Sequence, residues 1–317
     1  MNTIKFFISS VLLFLCLGMS VAAQESGLEL LTIGPGTKAL GLNDAVTAEL
    51  LGASNLYSNP ANLALEPSSS LNADYTLWIG DLTHAHASIN LKNARRGLAF
   101  GFIGSQADDI PLRGNQAGPP EGTFAVSFIS LSGGYAYNLG PIALGGTFQY
   151  LREEYYTFNA SGYAANLGAA TQLWDNRIHL GASLLNWGDM NELRNEATTL
   201  PTNFRVGFNA QVITFTPPEN GNLPITLYLK NDWIIPIQTE RGTTQGRSSS
   251  DPHTNIALEF DIADTIVIRT GYKTGDTVRH WSAGAGVKVG SITANYALIP
   301  FETGFGTVHS LGLGYQF

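Results

Sequence analysis

Apolar residues alternate with small or polar ones, at period two, along most of the chain beyond residue 68. At the C-terminal end Leu311, Leu313, Tyr315 and Phe317 point one way and Ser310, Gly312, Gly314 and Gln316 the other. In 281–289, Trp281, Ala283, Ala285, Val287 and Val289 oppose Ser282, Gly284, Gly286 and Lys288. The stretches 204–212, 256–262 and 266–273 repeat the pattern. Each reads as a β-strand with one apolar face and one polar or small face. No run of about 18 apolar residues follows the N-terminal segment, so no transmembrane helix is expected.

A soluble sandwich would alternate in the same way, with its apolar face inward. The connections discriminate better. Tight ones fall around Asn138-Leu139-Gly140, Trp174-Asp175-Asn176, Ala263-Asp264 and Gly290-Ser291. Long polar ones, at 105–124, 187–200, 237–252, 274–280 and 300–307, alternate with them. Short turns at one rim and long loops at the other are what an up-and-down barrel requires. The exception is 214–224, where Pro217-Pro218 and Asn220-Gly221 read as an enlarged turn. The expected fold is therefore all-β: a transmembrane antiparallel up-and-down barrel of about 14 strands spanning 69–317.

Residues 1–23 read as a secretory signal, with Lys5 as the positive region, Phe6 to Leu17 as the apolar region, and cleavage after Ala23. A lipoprotein signal ending at Cys16 is the rival, and the bulky Leu15 before that cysteine disfavours it. The segment 24–68 is rich in Gly, Ala and Ser and lacks alternation. It reads as a plug for the barrel lumen, with an N-terminal periplasmic arm as the alternative. Asp44 is placed to cap two helical turns running to Leu51. In the motif Asn59, Pro60, Ala61 the proline suits a first helical position behind an Asn cap.

Composition sharpens this picture. Charged residues make up 13% of the 317, about half the ~25% of an ordinary soluble domain. A net charge of −8 argues against nucleic acid as a partner, because phosphate neutralisation needs clustered Lys and Arg. A single cysteine excludes a disulfide framework and a cysteine zinc site. Many aromatics, Trp78, Trp174, Trp187 and Trp233 among them, fall near strand ends, where interfacial girdles sit.

Candidate chemistry is sparse. His84 and His86 share a face at i, i+2, but no third metal ligand is evident. Glu153-Glu154 reads as a solvated rim and Asp108-Asp109 as a solvated loop. No Gly-x-Ser-x-Gly elbow or phosphate-binding glycine loop is present. No catalytic residue, cofactor or metal is expected. The small or polar strand face carries Arg205, Lys230, Asp232, Glu259, Asp261, Arg269, Lys273 and Lys288. In a barrel these line the lumen, where opposite signs can pair and hold a plug.

A set of motifs in a fixed order resembles a known family. They are Gly34-Pro35-Gly36-Thr37-Lys38-Ala39-Leu40-Gly41, then Tyr57-Ser58-Asn59-Pro60-Ala61-Asn62, Trp78-Ile79-Gly80-Asp81 and Asp109-Ile110-Pro111. Leu185-Asn186-Trp187-Gly188, Arg205-Val206-Gly207 and Arg269-Thr270-Gly271-Tyr272 follow. The chain is similar in these to the PorV/PorQ-type outer-membrane proteins, relatives of the FadL-type fatty-acid channels. It departs from that pattern at Leu42-Asn43-Asp44-Ala45, where the family has Met-Gly-Gly-Ala, and at Ser58, where it has an aromatic. The resemblance implies a 14-stranded barrel with its N-terminal segment inside, in the bacterial outer membrane. It implies either an accessory of type IX protein secretion, with secretion components or exported proteins as partners, or a channel for long-chain fatty acids or other hydrophobic solutes. The end of the chain, with Gly312, Tyr315 and Phe317, resembles the signal read by the outer-membrane assembly machinery. The remaining partner implied is outer-membrane lipid.

Overall fold

The computed structural model describes residues 28–113, 119–195, 197–217, 223–237, 252–276, 278–302, 304 and 306–317. The expected signal segment 1–23 lies outside them, as do 218–222 of the enlarged turn and 238–251 of the long connection 237–252. Fourteen strands follow the N-terminal segment: β1 Ser70–Leu77, β2 Thr83–Asn93, β3 Arg96–Leu112, β4 Gly122–Asn138, β5 Ala143–Tyr155, β6 Phe158–Leu173 and β7 Ile178–Met190. The second half comprises β8 Asn203–Phe215, β9 Ile225–Pro236, β10 His253–Ile262, β11 Ile266–Lys273, β12 Trp281–Val289, β13 Ile292–Pro300 and β14 Thr307–Gln316. Each pairs antiparallel with its sequence neighbours, and β1 pairs with β14 from Ser70↔Gln316 to Leu77↔His309. The sheet is thus a closed barrel with no free edge, which lets every ladder hydrogen bond be made inside a bilayer.

The orientation of the faces decides between barrel and sandwich. On β14, Leu311 and Leu313 are 64% and 60% exposed on the outside, while Ser310 is buried inside. Trp281 and Val287 on β12, Ile266 and Ile268 on β11, and Phe148 and Leu144 on β5 likewise point outward. A water-soluble fold hides that face; here it forms the outer belt of a transmembrane-type barrel.

Two rims follow from the register. One carries the connections 94–95, 139–142, 174–177, 216–224, 263–265 and 290–291. Positive φ at Trp174, Asp175, Asn176, Ala263 and Asp264 gives these turns the hand that suits twisted hairpins. The other rim carries 78–82, 113–121, 156–157, 191–202, 237–252, 274–280 and 301–306. Two boundaries move from the expectation. Residues 105–112 belong to β3, not to a loop, and Asp109 sits at φ 55 in a bulge between Ala107 and Ile110. Residues 187–190 belong to β7. Polar and turn-forming residues in those stretches hide strands that extend the wall past its apolar belt.

Residues 28–69 fill the lumen. They form short helical turns, Glu29–Thr32, Thr37–Gly41, Gly52–Tyr57 and Pro60–Ala64. Wall positions that meet this segment are small. A Cβ on Gly145 of β5 would lie 2.6 Å from the Pro60 carbonyl oxygen, and one on Gly284 of β12 would lie 3.0 Å from the Gly41 Cα. The expected helix from Asp44 to Leu51 does not form. The helix lies earlier, at Thr37–Gly41, and Asn43 and Asp44 end it in the left-handed region at φ 48 and 62. The Asp44 N–H returns to the Ala39 carbonyl, so the residue stops one helix instead of starting another. At the second turn, the Asn59 side chain accepts from the Ala61 N–H at 3.2 Å and Pro60 takes the first helical position.

Candidate functional site

The lumen charges concentrate on β8 to β11 and meet charges from the plug. Lys230 of β9, 1% exposed, is bound by Glu49 of the plug and by Glu259 of β10, the latter at 3.1 Å. Glu49 also receives Lys38 at 2.6 Å and the Asn209 amide at 2.8 Å. Glu259 receives Arg269 Nε at 2.6 Å, and Arg269 Nη1 reaches Asn295 Oδ1 at 2.9 Å. An alternating ladder Lys38–Glu49–Lys230–Glu259–Arg269 thus ties the plug to the wall. Burial alone would raise the Glu49 carboxyl, but Lys230 and Lys38 outweigh it and hold it below the usual range.

Three further bonds sets fix the plug. Asp232 Oδ2 accepts from the Val46 and Thr47 N–H groups, each at 2.9 Å, and from the Thr47 hydroxyl at 2.7 Å. Arg279, from the loop 274–280, donates to Asp44 at 2.9 Å and stands over the Trp78 ring. Asp74 of β1 accepts the Thr37 N–H at 2.8 Å, and the Thr37 and Ser310 hydroxyls lie 2.7 Å apart. Within the plug, the Asn59 amide donates to the Thr47 carbonyl at 2.8 Å and to the Ala169 carbonyl of β6 at 3.2 Å. Glu66 makes no salt bridge among the described residues and accepts from the Gly52 N–H at 2.6 Å and the Asn55 amide at 2.8 Å. Burial lifts its carboxyl to about 7, with the Gly52 N–H only partly opposing.

The eight lumen-facing charges therefore separate. Lys230, Asp232, Glu259 and Arg269 touch the plug or its ladder. Arg205 is buried above them, its Nε donating to Asn203 at 2.8 Å. Lys273 pairs with Asp276 at 3.2 Å at the long-loop rim. Asp261 and Lys288 lie at the short-turn rim, where Lys288 is exposed. His84 and His86 are both buried, but their Nδ1 atoms reach opposite neighbours, Ser105 of β3 at 2.7 Å and Asp74 of β1 at 3.0 Å. Four partners of the lumen charges were not read as such in the sequence: Lys38 and Glu49 in the plug, Asp44, which was read as a helix cap, and Arg279 in a loop. Nothing periodic marks them: Glu49, Asp44 and Arg279 are defined by partners far along the chain, and Lys38 by the fold of the plug itself.

The lumen has two unlike ends. Toward the long loops, Ile103, Phe128, Leu151, Met190 and Leu200 form an apolar cluster that receives Leu28, Leu30, Leu31 and Tyr57 from the N-terminal segment. A small cavity of about 10 Å³, lined by Leu31, Pro35, Tyr57, Ile103, Gln149 and Arg205, lies at its base. Toward the short turns lies a polar cavity of about 210 Å³, lined by Lys38, Glu66, Asp74, Asp261, Arg269 and Lys288 among others. Beside the apolar cluster the β7–β8 ladder ends while β7 continues. β7 pairs with β8 only as far as Leu185↔Asn203, and Asn186, at φ 56, gives its N–H to the Asn166 side chain and its carbonyl to the Thr202 hydroxyl. β7 runs on to Met190 beside β6 alone.

A closed wall, an apolar outer belt and an occupied lumen define a plugged transmembrane β-barrel. Among solved structures, the fold is similar to that of the CymD monoaromatic hydrocarbon channel, with 11% identity over 90% of this chain and 98% of that one and a TM-score of 0.60. It is also similar to the toluene transporter TodX of Pseudomonas putida, with 10% identity over 90% of this chain and 98% of that one and a TM-score of 0.56. At these identities the likeness is one of fold. No protein-family model and no curated protein matches the chain in sequence.

Proposed function

We propose that this protein is a bacterial outer-membrane channel for small hydrophobic solutes, of the FadL type. The observation that carries the reading is the apolar cluster inside the lumen, built from Ile103, Phe128, Leu151, Met190 and Leu200, packed by Leu28, Leu30 and Leu31 of the N-terminal segment, and adjoining the point where the β7–β8 ladder ends. A barrel serving only as a scaffold has no need of an apolar interior above a polar one. Binding sites for hydrophobic ligands are lined in this way, with a few polar groups at one end. The fold likeness to two channels whose names give hydrocarbons as their solutes supports the same reading. Export through a signal ending near Ala23 and assembly through Gly312, Tyr315 and Phe317 belong to it, with outer-membrane lipid and the assembly machinery as partners.

The test is uptake and binding of toluene. Cells whose outer membrane carries the protein should accumulate labelled toluene faster than cells without it, and the purified barrel in mild detergent should bind it saturably. No gain in uptake and no binding would overturn the reading. The alternative, an accessory of type IX secretion of the PorV/PorQ kind, rests on the sequence motifs; copurification of exported proteins through the long loops, without bound hydrophobic solute, is the outcome that would favour it.

A further inference from the structure

Of the four buried basic residues among the described ones, three have a carboxylate against them. Lys230 and Arg269 share Glu259, and Arg279 meets Asp44. Arg205 of β8 is the exception. It is 9% exposed, its Nε donates to the neutral Asn203 side chain, and among the described residues it forms no salt bridge and no bond through its two Nη groups. A buried guanidinium without a counter-charge is unfavourable. Arg205 lines the small cavity of about 10 Å³ at the base of the apolar cluster. We propose that this cavity is a binding site for one monatomic anion of the chloride class, held by Arg205, Gln149 and Tyr57. The inference is independent of which solute, if any, the barrel carries.

The other two groups are donors for the same occupant. Gln149 of β5, 1% exposed, accepts the Ser130 hydroxyl on its amide oxygen at 3.2 Å, which leaves Nε2 a buried donor without a partner. The Tyr57 hydroxyl, from the plug, is buried and unbonded, with Ser132 close by. Three donors, one of them charged, thus come to one cavity from β8, β5 and the plug. No Asp or Glu lines it. Asp232 is near enough to feel the Arg205 charge, but its Oδ2 holds the Val46 and Thr47 N–H groups, and Asp44 is held by Arg279. An anion accepts from all three donors and cancels the charge, which a water molecule does not. The volume is about that of one water-sized sphere, so it leaves room for a single atom and excludes a carboxylate or phosphate. The bound ion fastens the plug, at Tyr57, to two wall strands that the Lys230 ladder does not join.

Exchanging sodium gluconate for sodium chloride at equal ionic strength tests this on the full-length chain in detergent, because the screening of exposed charges stays the same. Gln149→Glu is the reference variant: it sets a carboxylate beside Arg205 in place of the ion. The unfolding temperature of the parent should rise with chloride, relative to that of Gln149→Glu, and level off as the site fills. Arg205→Gln should lose this rise as well. A parent that responds to chloride no more than Gln149→Glu does overturns the site. Crystals grown in sodium bromide give a second measurement, which stands even where Arg205→Gln fails to fold. The anomalous signal of one bromide is expected between Arg205, Gln149 and Tyr57. Bromide found only elsewhere on the barrel, or a cavity holding water in its place, overturns the proposal.

Discussion

Lys230 is a buried lumen charge paired on two sides. It sits between two carboxylates from different parts of the chain, Glu49 of the plug and Glu259 of the wall. Buried pairs of this kind add little net stability, but removing one member leaves an uncompensated charge and costs about 3–5 kcal/mol. Lys230→Met is expected to lower the unfolding temperature of the detergent-solubilised barrel, and adding Glu49→Gln to recover part of the loss, since the two residues share one network. Equal losses from the single and double variants would show that the ladder carries no coupling. Glu66 behaves in the opposite sense. Its carboxyl stands at about 7 in the folded plug against an ordinary 4.5, so the folded state binds the proton more tightly than the unfolded one. Its contribution is fully present below the unfolded value and is lost as pH rises through about 7, a swing on the order of 3 kcal/mol. Amide exchange at Gly52, whose N–H it accepts, should accelerate between about pH 5 and pH 8. Glu66→Gln keeps the acceptor and should make that exchange free of the added pH dependence.

The elements differ in how far the sequence announces them. Strands such as β12 and β14 were legible because a half-exposed strand repeats every two residues whatever it pairs with. β3 and β7 ran longer than expected because their outer ends, Asp108-Asp109 and Asn186-Trp187-Gly188, carry loop-like residues into the ladder. The plug was legible as a compact piece without alternation, and its Asn59-Pro60 start was readable from local capping chemistry. Its other turns were not, because their shape is imposed from outside: Val46 and Thr47 turn where Asp232 receives their N–H groups, and no local rule places that carboxylate opposite them. Asp232→Ala should therefore strip the segment after Asp44 of its clasp, leaving three buried donors unsatisfied at about 1–3 kcal/mol each. The expected result, read by hydrogen exchange in detergent, is rapid exchange across 45–51 with the strand amides still protected. Loss of protection in the strands as well would mean that the barrel cannot stand without the plug.

At the scale of the whole molecule, the question is which solvent the outer belt meets. The same 13% charge and the same alternation serve a barrel in lipid or a poorly soluble one in water, and only the energetics of the outward face separate them. Leu311 lies in mid-β14, 64% exposed beside the buried Ser310. In water, replacing a residue so exposed with lysine changes stability by about half a kcal/mol or less. Facing hydrocarbon, the same lysine costs about 2–4 kcal/mol at the bilayer midplane and less toward the interfaces. Leu311→Lys should thus cut the yield of folded barrel when the urea-unfolded chain is diluted into lipid vesicles, read as the fraction that resists the unfolding shift on an unboiled gel. Val289→Lys, at the short-turn end of β12 where Val289 is 70% exposed, should lose much less. The contrast between the two sites, and not the size of either loss, is the diagnostic quantity, because a depth-dependent penalty can arise only if the belt is immersed. Equal, small effects at both positions would place this barrel outside a membrane and remove the physical basis for reading its lumen as a passage across one.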